Sequence, residues 1–230
     1  MVLNGLLAAG AGEGAHETLL ECVRAWPPTL YGVPGVTAAA EARLTALEGE
    51  VATLDSASAQ GENPRFGARS PQSLRALREA LAELYVLAGA HERALGAFLD
   101  AGDGMRALAF VRKRRLWAAA RRRCGALLRA DPEAAAALLA EHREEVPPGV
   151  VVAALDADAA EAGLSTGADE ARSRLHAYLH ALFERDPTAG AELHGRQVRN
   201  GVELLPISGL TVQPRRMRLN FDLICPGSPN

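Results

Sequence analysis

The chain has 230 residues, of which 48% are hydrophobic and 23% charged, and its formal charge is −3 at neutral pH. Those proportions are average for a globular protein, which sets aside collagen-like and low-complexity classes, and the balance gives no general pull toward nucleic acid or acidic lipid. The apolar supply is lopsided, with 46 alanines, two isoleucines (Ile207 and Ile224) and 4% aromatics. Strands draw on β-branched and aromatic residues, so the chain reads as all-α. Basic residues are nearly all arginine, Lys113 being the single lysine, which reflects coding bias more than chemistry. Cys22, Cys124 and Cys225 form no C-x-x-C pair, and an odd count points to a reducing compartment. The first arginine is Arg24, so residues 1–11 lack the basic flank of a signal peptide. The apolar stretch 146–155 is too short to span a bilayer. A soluble, intracellular protein is expected.

Taken in order, Leu19, Leu20 and Val23 predict a first helix over 13–25, stopped at Trp26-Pro27-Pro28 because proline cannot donate a helix bond. A second is expected over 36–54, where Leu44, Leu47, Val51 and Leu54 repeat at helical spacing. Residues 55–71, rich in Ser, Gly, Asn and Pro, read as an exposed loop. From Ser70-Pro71 a third helix carries Leu74, Leu77, Leu81, Leu84 and Leu87 and breaks at Gly89. Leu95, Phe98 and Leu99 mark the next, Gly102-Asp103-Gly104 a turn, and Leu108 and Val111 another helix. Asp131-Pro132-Glu133 is a strong helix start, since Asp caps, Pro suits the first position and Glu favours the positive dipole end. Leu138 and Leu139 supply its apolar face. Pro147-Pro148 opens a short helix through Val151, Val152 and Leu155, and 156–168 reads as a linker. A helix over 170–185 follows, with Leu175, Tyr178, Leu179, Leu182 and Phe183, and Asp186-Pro187 caps a last one toward Val198.

About nine helices of roughly 10–17 residues with frequent breaks and no long heptad run predict an α-solenoid of stacked hairpins. In LAELYVLAGAHERALGAFL, the residues Tyr85, Gly89, Ala94 and Phe98 sit as in a tetratricopeptide-like hairpin, with a small residue at the helix crossing. Replacing Gly89 by leucine is expected to cost stability through a clash at that turn. The turns at Gly89, Asp131 and Asp186 are unevenly spaced, so a strict 34-residue tetratricopeptide adaptor does not fit.

The last segment changes character. No alanine lies in 199–230, yet both isoleucines do, together with Pro206, Pro214, Pro226 and Pro229 and a reversed charge balance. A frameshift or intron read-through accounts for this more simply than a second domain. The expected division is a solenoid over 1–198 and a non-native, disordered tail over 199–230, with a short extended piece at 218–224.

The segments LAELYVLAGAHERALGAFLDAGD, FVRKRRLWAAARRRCGALLRADPEAAAALLAEHREEVPPGVVVAAL and YLHALFERDPTAGAELHGRQV resemble the clathrin-heavy-chain-repeat region of the vacuolar protein sorting-associated protein 41 family, and LLECVRAWPPTLYGVPGV resembles the stretch that precedes those repeats. The likeness is collinear over about 17–198, departing at 46–72 and 156–174. It implies a solenoid arm of a subunit of the HOPS tethering complex, which bridges late endosomes and vacuoles or lysosomes before fusion. It also implies a fragment, because the family's β-propeller and RING-like domain are missing. Other tethering subunits are the implied partners, with membrane association through them; no nucleic acid, small-molecule substrate or cofactor is expected.

Two clusters compete with this non-catalytic reading. His176, His180 and Glu184 fall on one helical face at spacing four, and imidazoles with a carboxylate suit zinc. A metal-binding helical protein or hydrolase is the alternative they support, but no H-E-x-x-H or water-activating base accompanies them. Arg112-Lys113-Arg114-Arg115 and Arg121-Arg122-Arg123 place seven cations in twelve residues, enough to attract phosphates. Trp117 is the one interleaved aromatic, Glu141, Glu144 and Glu145 are expected one hairpin away, and a solvated face is the expected account. Cys22 near His16 lacks a partner carboxylate, Cys124 reads as a small core residue, and Gly10, Gly12 and Gly14 lack the strand a dinucleotide loop needs. No catalytic, cofactor-binding or metal residue is assigned.

Overall fold

Proline fixes φ near its helical value and has no N–H to waste in a first turn, and helices open at Pro71, Pro132, Pro148 and Pro187. A computed structural model describes residues 2–8, 14–59, 71–162 and 166–199. Among the described residues the regular structure is entirely helical. Helix α1 covers Val2–Leu6, α2 Ala15–Ala25, and a 3-10 turn Pro28–Leu30 leads to α3, Val33–Ala59. Then come α4 (Pro71–Leu87), α5 (His91–Asp100), α6 (Gly104–Arg114), α7 (Trp117–Arg122), α8 (Cys124–Ala130), α9 (Pro132–Glu141), α10 (Pro148–Ala162), α11 (Thr166–Arg185) and α12 (Pro187–Arg199).

The described helices number twelve, with lengths from 5 to 27 residues, against the nine more uniform ones expected. Three differences stand out. Helix α3 runs through Leu54 to Ala59, because the Ser/Ala run after it contains no breaker before Gly61. Helix α10 runs through most of the expected linker, since its alanine and acidic residues favour helix until Gly163, and α11 already begins at Thr166. The arginine-rich segment divides at Arg123 into the short helices α7 and α8. Residues 60–70 of the expected loop and the tail 200–230 lie outside the described residues; helix α12 itself ends at Arg199.

The helices pack with their neighbours along the chain, as in a solenoid of stacked hairpins. Helix α4 is wrapped by α2, α3 and α5, and α11 by α9, α10 and α12, with α6, α8 and α9 joining the two halves. The apolar stripe of α4 (Leu77, Leu81, Leu84) is fully buried, as are Leu95 of α5, Leu127 and Leu128 of α8, Leu139 of α9 and Tyr178 and Leu179 of α11. Each such side chain contributes about 1.5–3 kcal/mol relative to exposure. The hairpin residues are in the core as expected: Ala94 is completely buried, and Tyr85 and Phe98 are nearly so.

The turns after α4 and α5 share one device. After α4, Gly89 N–H bonds to Val86 O (3.2 Å) and Ala90 N–H to Tyr85 O (2.9 Å), with Gly89 at φ +73°. Gly102 repeats this after α5, bonding Leu99 O (2.9 Å) while Asp103 N–H bonds Phe98 O (3.0 Å). These are Schellman closures, which satisfy carbonyls a helix end leaves free. The expected clash at Gly89 is absent, because a Cβ there would meet nothing within 4 Å; what the position requires is a left-handed φ. Helices α6, α9 and α12 start on aspartate: Asp103, Asp131 and Asp186 accept hydrogen bonds at 3.1 Å from the backbone N–H of Arg106, Ala134 and Ala189. No described helix is long and apolar enough to cross a membrane.

Candidate functional site

Charge on this solenoid sorts into two regions. In the first, cations and carboxylates are matched across helices. Glu79 and Glu83 project from α4 toward Arg24 of α2 at 2.9 and 3.4 Å. Arg106 of α6 reaches Glu79 at 3.9 Å, hydrogen-bonds Glu83, and lies 3.7 Å from Asp103. Arg75 adds a contact to Glu79 at 3.1 Å. Three helices therefore share one network whose carboxylates are largely shielded from water, a setting in which ion pairs outperform isolated surface pairs. A second tie joins α3 to the α4–α5 hairpin. Tyr85 donates to Glu41 (2.8 Å), and Arg93 donates both to Glu41 (2.7 Å) and to the Tyr85 hydroxyl (2.9 Å) while lying 4.4 Å over its ring. Burial, reinforced by Glu41, pushes the Tyr85 hydroxyl up to about 12.

The second region is the basic run, which straddles the α6–α7 corner. Helix α6 ends at Arg114, Arg115 adopts φ +53°, and α7 begins at Trp117. Arg112 meets Glu141 at 2.8 Å, as expected from a neighbouring hairpin, but Arg122 turns back to Glu92 of α5. Glu145 lies 3.7 Å from His142 instead of joining the run. Among the described residues no carboxylate pairs with Lys113, Arg114, Arg115, Arg121 or Arg123, all of them exposed. Neutralisation of the run is therefore partial, and its cations stand on a solvated face, as expected. Trp117 stacks on His142 with ring centroids 3.8 Å apart, which occupies one face of the one aromatic ring in the run. Beside the corner, between α4, α5 and α6, a groove of about 290 Å³ is lined by Val86, Phe98 and Phe110, with Lys113 and Arg114 on its rim.

The other candidates take structural places. His180 Nδ1 lies 3.7 Å from Glu184 Oε1, and Glu184 is exposed. His176, His180 and Glu184 do not converge, and among the described residues no group of three His, Cys, Asp or Glu side chains is placed to hold a metal ion. Cys124 is buried, which raises its thiol pKa, chiefly through desolvation. His16 is also buried and its Nδ1 sits 2.6 Å from the Ser73 hydroxyl, tying α2 to the first turn of α4. That pair, 57 residues apart in sequence, carries no local signal.

The sequence matches the family described as the Vps41 TPR-like region over residues 1–203. The chain belongs to that family. Among curated proteins it is similar to the vacuolar protein sorting-associated protein 41 homolog of Solanum lycopersicum, with 31% identity over 193 residues. It is also similar to the homolog of the same name from Arabidopsis thaliana, with 29% identity over 198 residues. In both comparisons 84% of this chain is covered but 17% of the relative, so the chain spans about a sixth of the length of the relatives it matches. No solved structure matches the chain. In this Vps41 TPR-like region, then, the network around Glu79 and Glu83 holds the arm together, and the α6–α7 corner is where charge is left over.

Proposed function

We propose that the chain acts as a non-catalytic scaffold segment of a vesicle-tethering subunit, serving protein transport and membrane fusion at the late endosome and the vacuole or lysosome. The observation that carries this reading is the Vps41 TPR-like match running through the whole described solenoid. Its mechanism is geometric. Hairpins that bury apolar stripes against their neighbours make a stiff arm with a long accessible surface, and the ion networks between helices add to that stiffness. The partners in this reading are the other subunits of a HOPS-type complex, and membrane association is peripheral and runs through them. Cytoplasmic localisation, no nucleic acid, no small-molecule substrate and no cofactor or metal complete the proposal. In this reading the solenoid forms one unit over 1–198.

A chimaera tests it. Residues 1–203 replace the matching segment of the full-length tomato homolog in plant cells lacking their own copy. Restored vacuolar sorting, with co-purification of the other tethering subunits, is expected. A chimaera that accumulates to normal levels yet neither sorts nor co-purifies overturns the reading.

A further inference from the structure

We infer that the groove at the α6–α7 corner binds an acidic peptide segment of a partner protein, with one apolar side chain of that segment seated on its floor. Three observations converge there. The floor is apolar: Val86 and Phe110 are half-buried, and Phe110 meets Phe98 edge to face at 5.7 Å. The rim is cationic and unmatched, since neither Lys113 nor Arg114 pairs with a described carboxylate, and Arg115 and Arg121 extend the same charge around the corner. Glu83, the one acid lining the groove, is already neutralised by Arg24 and Arg106, and Arg106 also covers the Phe98 ring at 5.0 Å. The groove thus presents apolar surface framed by uncompensated positive charge. Its complement is a segment with carboxylates on either side of an apolar residue.

Other anions fit less well. Single-stranded nucleic acid needs aromatic faces on which bases stack, and His142 takes one face of Trp117, the one aromatic interleaved in the run. A bilayer surface meets protruding cations with a flat sheet of headgroups, whereas here the apolar contacts lie in a recess and call for an inserted side chain. The proposal names the chemistry of a partner for the scaffold role and rests on that role only for there being one.

The test is a fluorescence-anisotropy titration of the full chain with a labelled acidic peptide bearing one central phenylalanine. The controls are the peptide's serine-for-phenylalanine analogue, its uncharged Asn/Gln analogue, and vesicles containing phosphatidylserine. Saturable binding that weakens as salt is raised is expected. Lys113→Glu/Arg114→Glu is expected to weaken it about tenfold or more, while Arg172→Glu/Arg196→Glu, with the same change in net charge at sites remote along the chain, changes it less than about twofold. Both variants keep the parent's helical signal. Loss of the phenylalanine weakens binding about tenfold. The proposal is overturned by no saturable binding, by binding that both charge-reversal variants reduce alike, or by vesicle binding that Lys113→Glu/Arg114→Glu abolishes while the peptide does not bind. Sorting by the chimaera is a separate readout: if it sorts and the peptide fails, the site is wrong and the scaffold role stands.

Discussion

Arg115 closes α6 in the left-handed conformation with which Gly89 closes α4. The bonds are the same, Arg115 N–H to Arg112 O at 3.4 Å and Leu116 N–H to Val111 O at 3.1 Å, and φ is +53°. The closures fall thirteen residues apart, at 89, 102 and 115, and at the third an arginine replaces glycine. An L-residue with a long side chain adopts this region at a cost of roughly 1–2 kcal/mol. The closure also leaves the Arg115 side chain exposed at the corner where Lys113 and Arg114 pair with no described carboxylate.

Arg115→Gly is accordingly expected to stabilise the chain by about 1 kcal/mol, raising Tm by about 2–4 °C for a protein of this size. Thermal unfolding followed by circular dichroism checks it. A fall in Tm would mean that the Arg115 side chain contributes more than its backbone costs.

At Gly89 the same geometry separates two explanations. A steric clash makes leucine much worse than alanine, whereas a φ penalty charges both alike. Open space around the Cβ position favours the second. Gly89→Ala and Gly89→Leu are expected to destabilise by a similar ~1–2 kcal/mol, and Gly89→Asn by less, since Asn tolerates this region. Denaturant midpoints of the three variants decide the matter; a leucine variant several kcal/mol below the alanine variant would restore the clash.

Gly190 is the opposite case. A Cβ there would lie 2.6 Å from Phe183 Cα, so α11 and α12 cross with backbone nearly touching backbone. A flexible side chain could step aside, but main chain cannot. Gly190→Ala is expected to cost about 1–3 kcal/mol, and to loosen α12 before the rest of the arm. Faster hydrogen exchange confined to 187–199 is the signature, and unchanged exchange there would show that the crossing relaxes without cost.

Much of this architecture is legible in the residues themselves. Pro71, Pro132 and Pro187 mark helix starts, Asp131 and Asp186 cap as their types suggest, and Gly89 and Gly102 stop helices where they stand. Local chemistry suffices for each, because the groups involved lie within five residues of one another. What is not legible depends on competition or distance. Residues 156–162 look like a linker by composition, yet alanine continues α10 because nothing there breaks it. Arg115 as a helix stop has no compositional signal at all. The basic run is visible in sequence, but its state is not: Arg122 finds Glu92 thirty residues away, while Lys113 and Arg114 find no described partner. Only the packing of α5, α6, α7 and α9 decides which of those cations are left over.

The tie between α3 and the first hairpin makes stability depend on alkaline pH. In the unfolded chain a tyrosine hydroxyl loses its proton near pH 10; in the native chain burial and the Glu41 carboxylate hold the Tyr85 proton until about 12. Between those values the native state carries a proton that the unfolded state lacks, so stability falls as pH rises. Below pH 10 both states are protonated and the contribution is fully present. Tyr31 and Tyr178 are also raised by burial, so the parent's alkaline slope sums several groups, and the contrast with Tyr85→Phe isolates one. The variant lacks the hydroxyl that donates to Glu41 at 2.8 Å, and is expected to be less stable than the parent at neutral pH by about 1 kcal/mol. Above pH 10 that gap is expected to narrow, because only the parent loses the Tyr85 contribution. Urea midpoints of parent and variant, taken from neutral pH to about 11, check this; a gap that stays constant across the range would place the Tyr85 proton outside the linkage.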